Sequence, residues 1–290
     1  MSGDREIVTG RKKASAFVPG HVTAFFSVHR REDPLKTGSR GAGITLSKGV
    51  TVGVEPAGET RISLDGEGTE VRPVERVLDA MGVTARVRID AELPIGAGFG
   101  VSGAAALGTA LAANRAAECE YTENELIRTA HAGEVEAGTG LGDVVAQARG
   151  GVPIRLEPGA PEHGVLDGIA ETAPVEYASF GDLSTSDVIS GGTDRLSKAG
   201  EEALSALRER PTLPQMLALG REFARDADLL VPEVATTIED VNEAGGEAAM
   251  AMLGRTVVAL GSGLTDAGYD ATACQIYPGC ATLLEDAADR

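Results

Sequence analysis

The stretch "LPIGAGFGVSGAAALGTALAANRAA", residues 93–117, constrains this chain more than any other. Four glycines and a proline crowd its first half, and alanine dominates the second. The pattern predicts a tight glycine turn feeding a helix over about 101–118. The first N–H groups of a helix have no intrahelical partner, and glycine lets the chain bend until such groups converge. A turn of this kind is suited to phosphate.

Several site types share that turn. Gly98, Gly100 and Gly103 spell G-x-G-x-x-G, but a dinucleotide site needs a strand after the helix, ending in an acidic residue. Here "TENELIRTAHAGEVEA" (122–137) reads as a second helix, with Thr122 and Glu125 at capping-box spacing. A Walker loop needs a lysine that is absent. A serine-hydrolase elbow, G-x-S-x-G around Ser102, lacks its second glycine because Ala104 stands there. A turn made only for close helix–strand packing is the bland alternative. The remaining pattern is P-x-x-x-G-x-G-x-S followed by small residues. It would wrap Pro94, Gly96, Ala97, Gly98, Phe99, Gly100, Val101, Ser102, Gly103 and Ala104 around a phosphate chain, with the Ser102 hydroxyl available to Mg²⁺.

Around this turn, strand-like alternation covers 43–54, 60–65 and 84–93, and "VRPVERVLDAMG" (71–82) has helical spacing and a glycine stop. "LGDVVAQARGG" fits a short helix and "VPIRLE" (152–157) a strand. Residues 157–168 are turn-rich and make a domain junction, giving domains 1–157 and 158–290. Beyond it come a strand near "PVEYASF", helices near 194–210, 214–229 and 232–244, and a strand–turn–strand in "AAMAMLGRTVVALGSG". Interspersed strands and helices indicate an α+β protein in two halves.

Charge narrows the partners. The formal net charge is -18, which disfavours nucleic acid and anionic membranes, both of which attract basic patches. Only five of the 26 basic residues are lysine. Acid-rich, lysine-poor composition resembles that of extreme halophiles. Cys119, Cys274 and Cys280 form no CxxC pair, so neither a disulfide framework nor a zinc site is expected. With no apolar leader at the N-terminus and no apolar run of membrane-spanning length, a cytoplasmic protein is expected.

The glycine turn resembles the second signature of the GHMP kinases, the family of galactokinase, homoserine kinase and mevalonate kinase. Two further segments carry the likeness. "AFVPGHVTAFFSVH" supplies the Pro19-Gly20 of the first signature, and "GGEAAMAMLGRTVVAL" (245–260) stands where the third falls. Within the family, "VPGHVTAFFSVHRREDPLKTGSRGAGITL", "HAGEVEAGTGLGDVVAQARGGVPIR" and "EAAMAMLGRTV" resemble the archaeal pantoate kinases. Departures exist: His21 stands where mevalonate kinases carry lysine, Val101 replaces the first of two serines, and Ala249, Met250 and Ala251 dilute the third motif.

The resemblance implies a two-domain GHMP kinase fold, with a ribosomal protein S5 domain 2-like N-terminal domain and a ferredoxin-like C-terminal domain. It implies ATP and Mg²⁺ as cofactors, with Ser102 and Glu134 as metal ligands and Asp143 orienting or deprotonating an acceptor hydroxyl. For an acceptor such as pantoate, a small hydroxy acid, Arg155 would hold the carboxylate by two bonds. His131, Ser27, Thr185 and His21 are further acceptor-side residues, and a homodimer fits the likeness. A kinase of mevalonate or homoserine type, or a non-catalytic sensor of this fold, stays open.

Overall fold

The computed structural model describes residues 13–181 and 193–285. Two sheets organise them. The larger has eight strands: β1 (Ala14–His29), β2 (Gly38–Pro56), β3 (Arg61–Leu64), β4 (Glu67–Gly68), β5 (Ala85–Ala91), β6 (Val152–Glu157), β7 (Val165–Ile169) and β12 (Thr282–Leu284). Its main path runs β12-β1-β2-β5-β3-β4, and β6 joins it by pairing with both β2 and β7. The smaller runs β11 (Thr272–Gln275), β8 (Pro174–Ser179), β10 (Thr256–Leu260), β9 (Ala248–Ala251). The α+β arrangement expected from the alternating patterns is the one observed.

Pairing is antiparallel except between β3 and β5, which run parallel through the crossover helix α1 (Arg72–Met81). Parallel neighbours need such a crossover. The central helix α2 (Val101–Ala117) has buried residues on every side, as a helix does when sheet and helices enclose it. It lies on β1 and β2 and under α1 and α3 (Glu123–Ala137). Its alanines and glycines permit that approach: a Cβ on Gly108 would sit 2.6 Å from a Val52 methyl. The Thr122–Glu125 capping box closes the start of α3 as its spacing predicts.

Some elements depart from sequence periodicity. Residues 14–29 form one long strand although Pro19 interrupts the alternation. A register shift between Pro19 and Gly20 absorbs the proline, which donates no ladder bond. Residues 165–169, within and just beyond the turn-rich stretch, pair with β6. The short strands 272–275 and 282–284 also lack a legible alternation. After β8, helices α5 (Asp194–Glu209) and α6 (Leu213–Asp226) pack on β1, and α7 (Pro232–Glu243) covers β9 and β10.

Candidate active site

The glycine turn opens onto a cavity of about 330 Å³. From the loop, Ile95, Gly96, Gly98, Phe99, Gly100, Val101 and Ser102 reach its surface. Gly96, Gly98 and Gly100 have φ of 75°, 88° and 63°, in the left-handed region where only glycine is comfortable. Gly100 caps the start of α2 in that conformation. The carbonyls on either side are held from below. His21 N–H donates to Phe99 O at 2.9 Å, and Gln147 Nε2 donates to Gly100 O at 2.9 Å. A peptide plane sets its N–H opposite its C=O. With these carbonyls drawn inward, the N–H groups of Gly100 and Val101 point the other way, at the positive end of α2. Of the remaining loop residues, Ala97, Gly103 and Ala104 are buried behind this surface, and Pro94 is exposed outside it.

The third motif forms the opposite wall of the loop. A Cβ on Gly98 would lie 2.9 Å from Met252 O, and one on Gly254 only 2.0 Å from Ala97 O. Met252 and Leu253 line the cavity. The segment 251–254 is therefore a backbone buttress for the loop.

Three ionisable groups converge beside the loop. Ser102 Oγ donates to Glu134 Oε1 at 2.8 Å, and Glu134 is 1% exposed. Burial, followed by the nearby Asp143 charge, pushes the Glu134 carboxyl up to about 8. Asp143 opens the short helix α4 (Asp143–Arg149) and lines the cavity. Burial opposes its ionisation, but the hydrogen bond from His21 and the positive charge of Arg155 outweigh it and hold its carboxyl below the usual range. Arg155, on β6 opposite Gly41, is 2% exposed yet lines the cavity. Its Nε donates to Ser39 Oγ at 3.2 Å, and its Nη1 has no protein partner among the described residues. Burial pulls the guanidinium down to about 10, with Asp143 opposing, so it remains a cation at neutral pH.

Small residues make room for this cluster. A Cβ on Gly140 would sit 2.5 Å from the Glu134 carboxylate, one on Gly103 3.0 Å from Glu134 Oε2, and one on Gly100 3.0 Å from Asp143 Oδ1. A buried carboxyl and a hydroxyl 2.8 Å apart, both oxygen donors, suit a hard cation such as Mg²⁺. Among the described residues no three His, Cys, Asp or Glu side chains cluster as a metal site. A metal there would complete its shell with phosphate and water oxygens, as Mg²⁺ commonly does.

Not every residue expected at the acceptor reaches the cavity surface. His21 is fully buried, with Nδ1 2.7 Å from Asp143 Oδ1, because the bulge after Pro19 turns it beneath α4. His131 is also buried, with Nε2 2.9 Å from Thr37 O, where it ties α3 to the loop before β2. Ser27 points to the far side of β1, donating to Glu201 Oε1 at 2.6 Å in a cluster with His29 and Arg40. Thr185 lies outside the described residues. Sequence reasoning missed Gln147, Ser39, Thr23 and Phe26. Gln147 sits one helical turn after Asp143, a spacing that places both on one face.

A family model described as GHMP kinases N terminal domain matches residues 71–151. The pantoate kinase of Methanospirillum hungatei is 34% identical over 258 residues, covering 86% of this chain and 88% of that protein. The pantoate kinase of Thermococcus kodakarensis is 34% identical over 261 residues, covering 84% and 86%. Among solved structures, a phosphotransferase related to the CoA biosynthesis pathway superposes with a TM-score of 0.85 at 30% identity, over 95% of this chain and 100% of that one. No helix among the described residues is long and apolar enough to cross a membrane.

Proposed function

The chain belongs to the GHMP kinases, and on that premise we propose that it is a pantoate kinase. It transfers the γ-phosphoryl group of ATP to the primary hydroxyl of (R)-pantoate, giving 4-phosphopantoate for coenzyme A synthesis. The observation that carries the chemistry is one cavity presenting an ionised carboxylate, Asp143, and a buried cation with an unpartnered N–H, Arg155, beside a phosphate-shaped loop. The pantoate kinases that match over most of the chain support the acceptor.

Phosphoryl transfer asks mainly for positioning and charge neutralisation. In this reading the N–H groups of the glycine loop hold the ATP phosphates, and Arg155 holds the pantoate carboxylate through its free Nη1. Asp143, kept ionised, accepts a hydrogen bond from the primary hydroxyl. It aims that oxygen and takes its proton as the new P–O bond forms and the bond to ADP breaks. Ser102 and Glu134 would hold Mg²⁺, which supplies neutralising charge at the transferring phosphoryl group. Ser27 and His131 act indirectly, by fixing β1 and the loop before β2.

A two-domain division, the glycine loop in one part and the smaller sheet in the other, belongs to the same reading. The pairing of 165–169 with β6 supports placing the junction a dozen residues beyond 157. A cytoplasmic, salt-adapted enzyme, functioning as a homodimer, completes it. The test is ADP release by purified protein with Mg-ATP and, in turn, pantoate, mevalonate and homoserine. Turnover confined to pantoate is expected. Turnover of another acceptor but not pantoate removes the substrate assignment and leaves the kinase.

A further inference from the structure

His21 is fully buried, yet it grips both halves of the site. Its backbone N–H donates to Phe99 O at 2.9 Å, holding the glycine loop. Its ring Nδ1 lies 2.7 Å from Asp143 Oδ1. An ionised carboxylate only accepts, so Nδ1 must carry the proton. The opposite nitrogen, Nε2, has no partner among the described residues. It faces Gly43, where a Cβ would come within 2.6 Å, so the absence of a side chain there is what admits the ring beside the paired strand. Burial favours the uncharged ring. A neutral ring donates to Asp143 without cancelling its charge.

We infer that His21 is a positioning residue for phosphoryl transfer: it fixes the Asp143 carboxylate against the glycine loop and touches neither substrate. Asp143 Oδ1 is enclosed by His21 and by Gly100, where a Cβ would lie 3.0 Å away. That leaves Oδ2 for the acceptor hydroxyl. Released from His21, the carboxylate can rotate about its side-chain bonds and lose the alignment of attacking oxygen and phosphorus. The inference rests on Asp143 serving the acceptor hydroxyl.

The test compares His21→Leu, His21→Asn, Asp143→Asn and the double variant His21→Leu/Asp143→Asn, each checked for folding. His21→Leu should lower kcat by about 10²-fold, the scale of a small misplacement of a reacting group, with both KM values near wild type. His21→Asn places an amide N–H where Nδ1 stands and should recover most of kcat. In the Asp143→Asn background, His21→Leu should cost nothing further, because the two act as one unit. Full turnover by folded His21→Leu, equal impairment by Leu and Asn, or an undiminished His21→Leu effect without Asp143 each overturns the inference. Full turnover by Asp143→Asn overturns the role of Asp143 and this inference with it. A lowered Asp143→Asn rate beside an unaffected His21→Leu rate overturns this inference alone. Should the His21 variants not fold, ¹⁵N NMR of wild-type histidines decides. A ring protonated at Nδ1 alone, perturbed by Asp143→Asn, supports the assignment, and a ring protonated at Nε2 alone overturns it.

Discussion

Ser102 donates its hydroxyl hydrogen to Glu134 across 2.8 Å, and that carboxyl titrates near 8 rather than near 4.5. The cause is burial, helped by the neighbouring charge of Asp143. The folded protein therefore binds a proton at Glu134 more tightly than the unfolded chain does. By linkage, the stability from this group is full below about 4.5 and is lost as pH rises through about 8. Glu134→Gln mimics the protonated form, so its melting temperature relative to wild type should rise between about pH 5 and pH 8.5. A metal ion on Glu134 displaces the proton, so Mg-ATP affinity should rise with pH up to about 8. Calorimetry in buffers of differing ionisation enthalpy should show proton release on Mg-ATP binding. A Glu134→Gln difference that is flat across pH would mean the carboxyl is not raised.

Asp143 and Arg155 should fail in different ways. Asp143→Asn keeps the shape and removes the charge that meets the hydroxyl, an interaction that matters in the transition state. It should lower kcat by about 10²–10⁴-fold, the usual range for general acid–base groups, with little change in KM. Arg155→Ala removes a contact made before and during reaction, so it should raise the KM for pantoate and leave that for ATP nearly unchanged. Arg155 is also buried, so the comparison includes Arg155→Lys, which keeps the charge and loses the paired geometry. Steady-state kinetics with each substrate varied in turn reads the split. An effect of Arg155→Lys on ATP alone would move this cation to the nucleotide side.

Gln147 should act on nucleotide binding without lying in the cavity wall. Its amide holds the Gly100 carbonyl at 2.9 Å and so keeps the following N–H turned outward. Gln147→Leu retains bulk and loses that bond. A net hydrogen bond of about 1 kcal/mol corresponds to roughly fivefold weaker ATP binding. Pantoate affinity should be unaltered. Titration of a fluorescent ATP analogue against both proteins measures it, and unchanged ATP affinity would show that the loop keeps its shape unaided.

Much of this site was legible because glycine and capping chemistry are local. The turn at 96–103 follows from spacing alone, and Thr122–Glu125 announces the start of α3. The burial of His21 was not legible, because it depends on a bulge at Pro19–Gly20 and on Gly43 in the paired strand. The same long-range pairing hid the strand character of 14–29, whose proline breaks the alternation. Gln147 looked like an ordinary helix residue. Its role appears only when α4 is packed on α2, so that its amide meets Gly100 O. Ser27 was placed on the acceptor side by likeness of sequence, yet Glu201, 174 residues away, draws it to the other face of β1.

Salt should act on this protein in two regimes. The chain carries a formal charge of -18, and its ion pairs include exposed ones such as Lys198–Glu202 and Arg88–Asp90. Exposed pairs contribute little, whereas the excess carboxylates repel one another over the whole surface. At 0.01 M salt the Debye length is about 30 Å, so that repulsion is barely screened; by 1 M it is about 3 Å and screening is essentially complete. The melting temperature should therefore climb steeply with KCl at low concentration from screening alone. A halophile-type surface, with carboxylates that organise water and cations, should keep climbing beyond about 1 M, where screening has nothing left to give. Melts in KCl from dilute to multimolar, with activity measured in parallel, separate the two. A curve that levels off near 1 M would reduce the salt response to ordinary screening, and a curve flat throughout would remove the salt-adapted reading altogether.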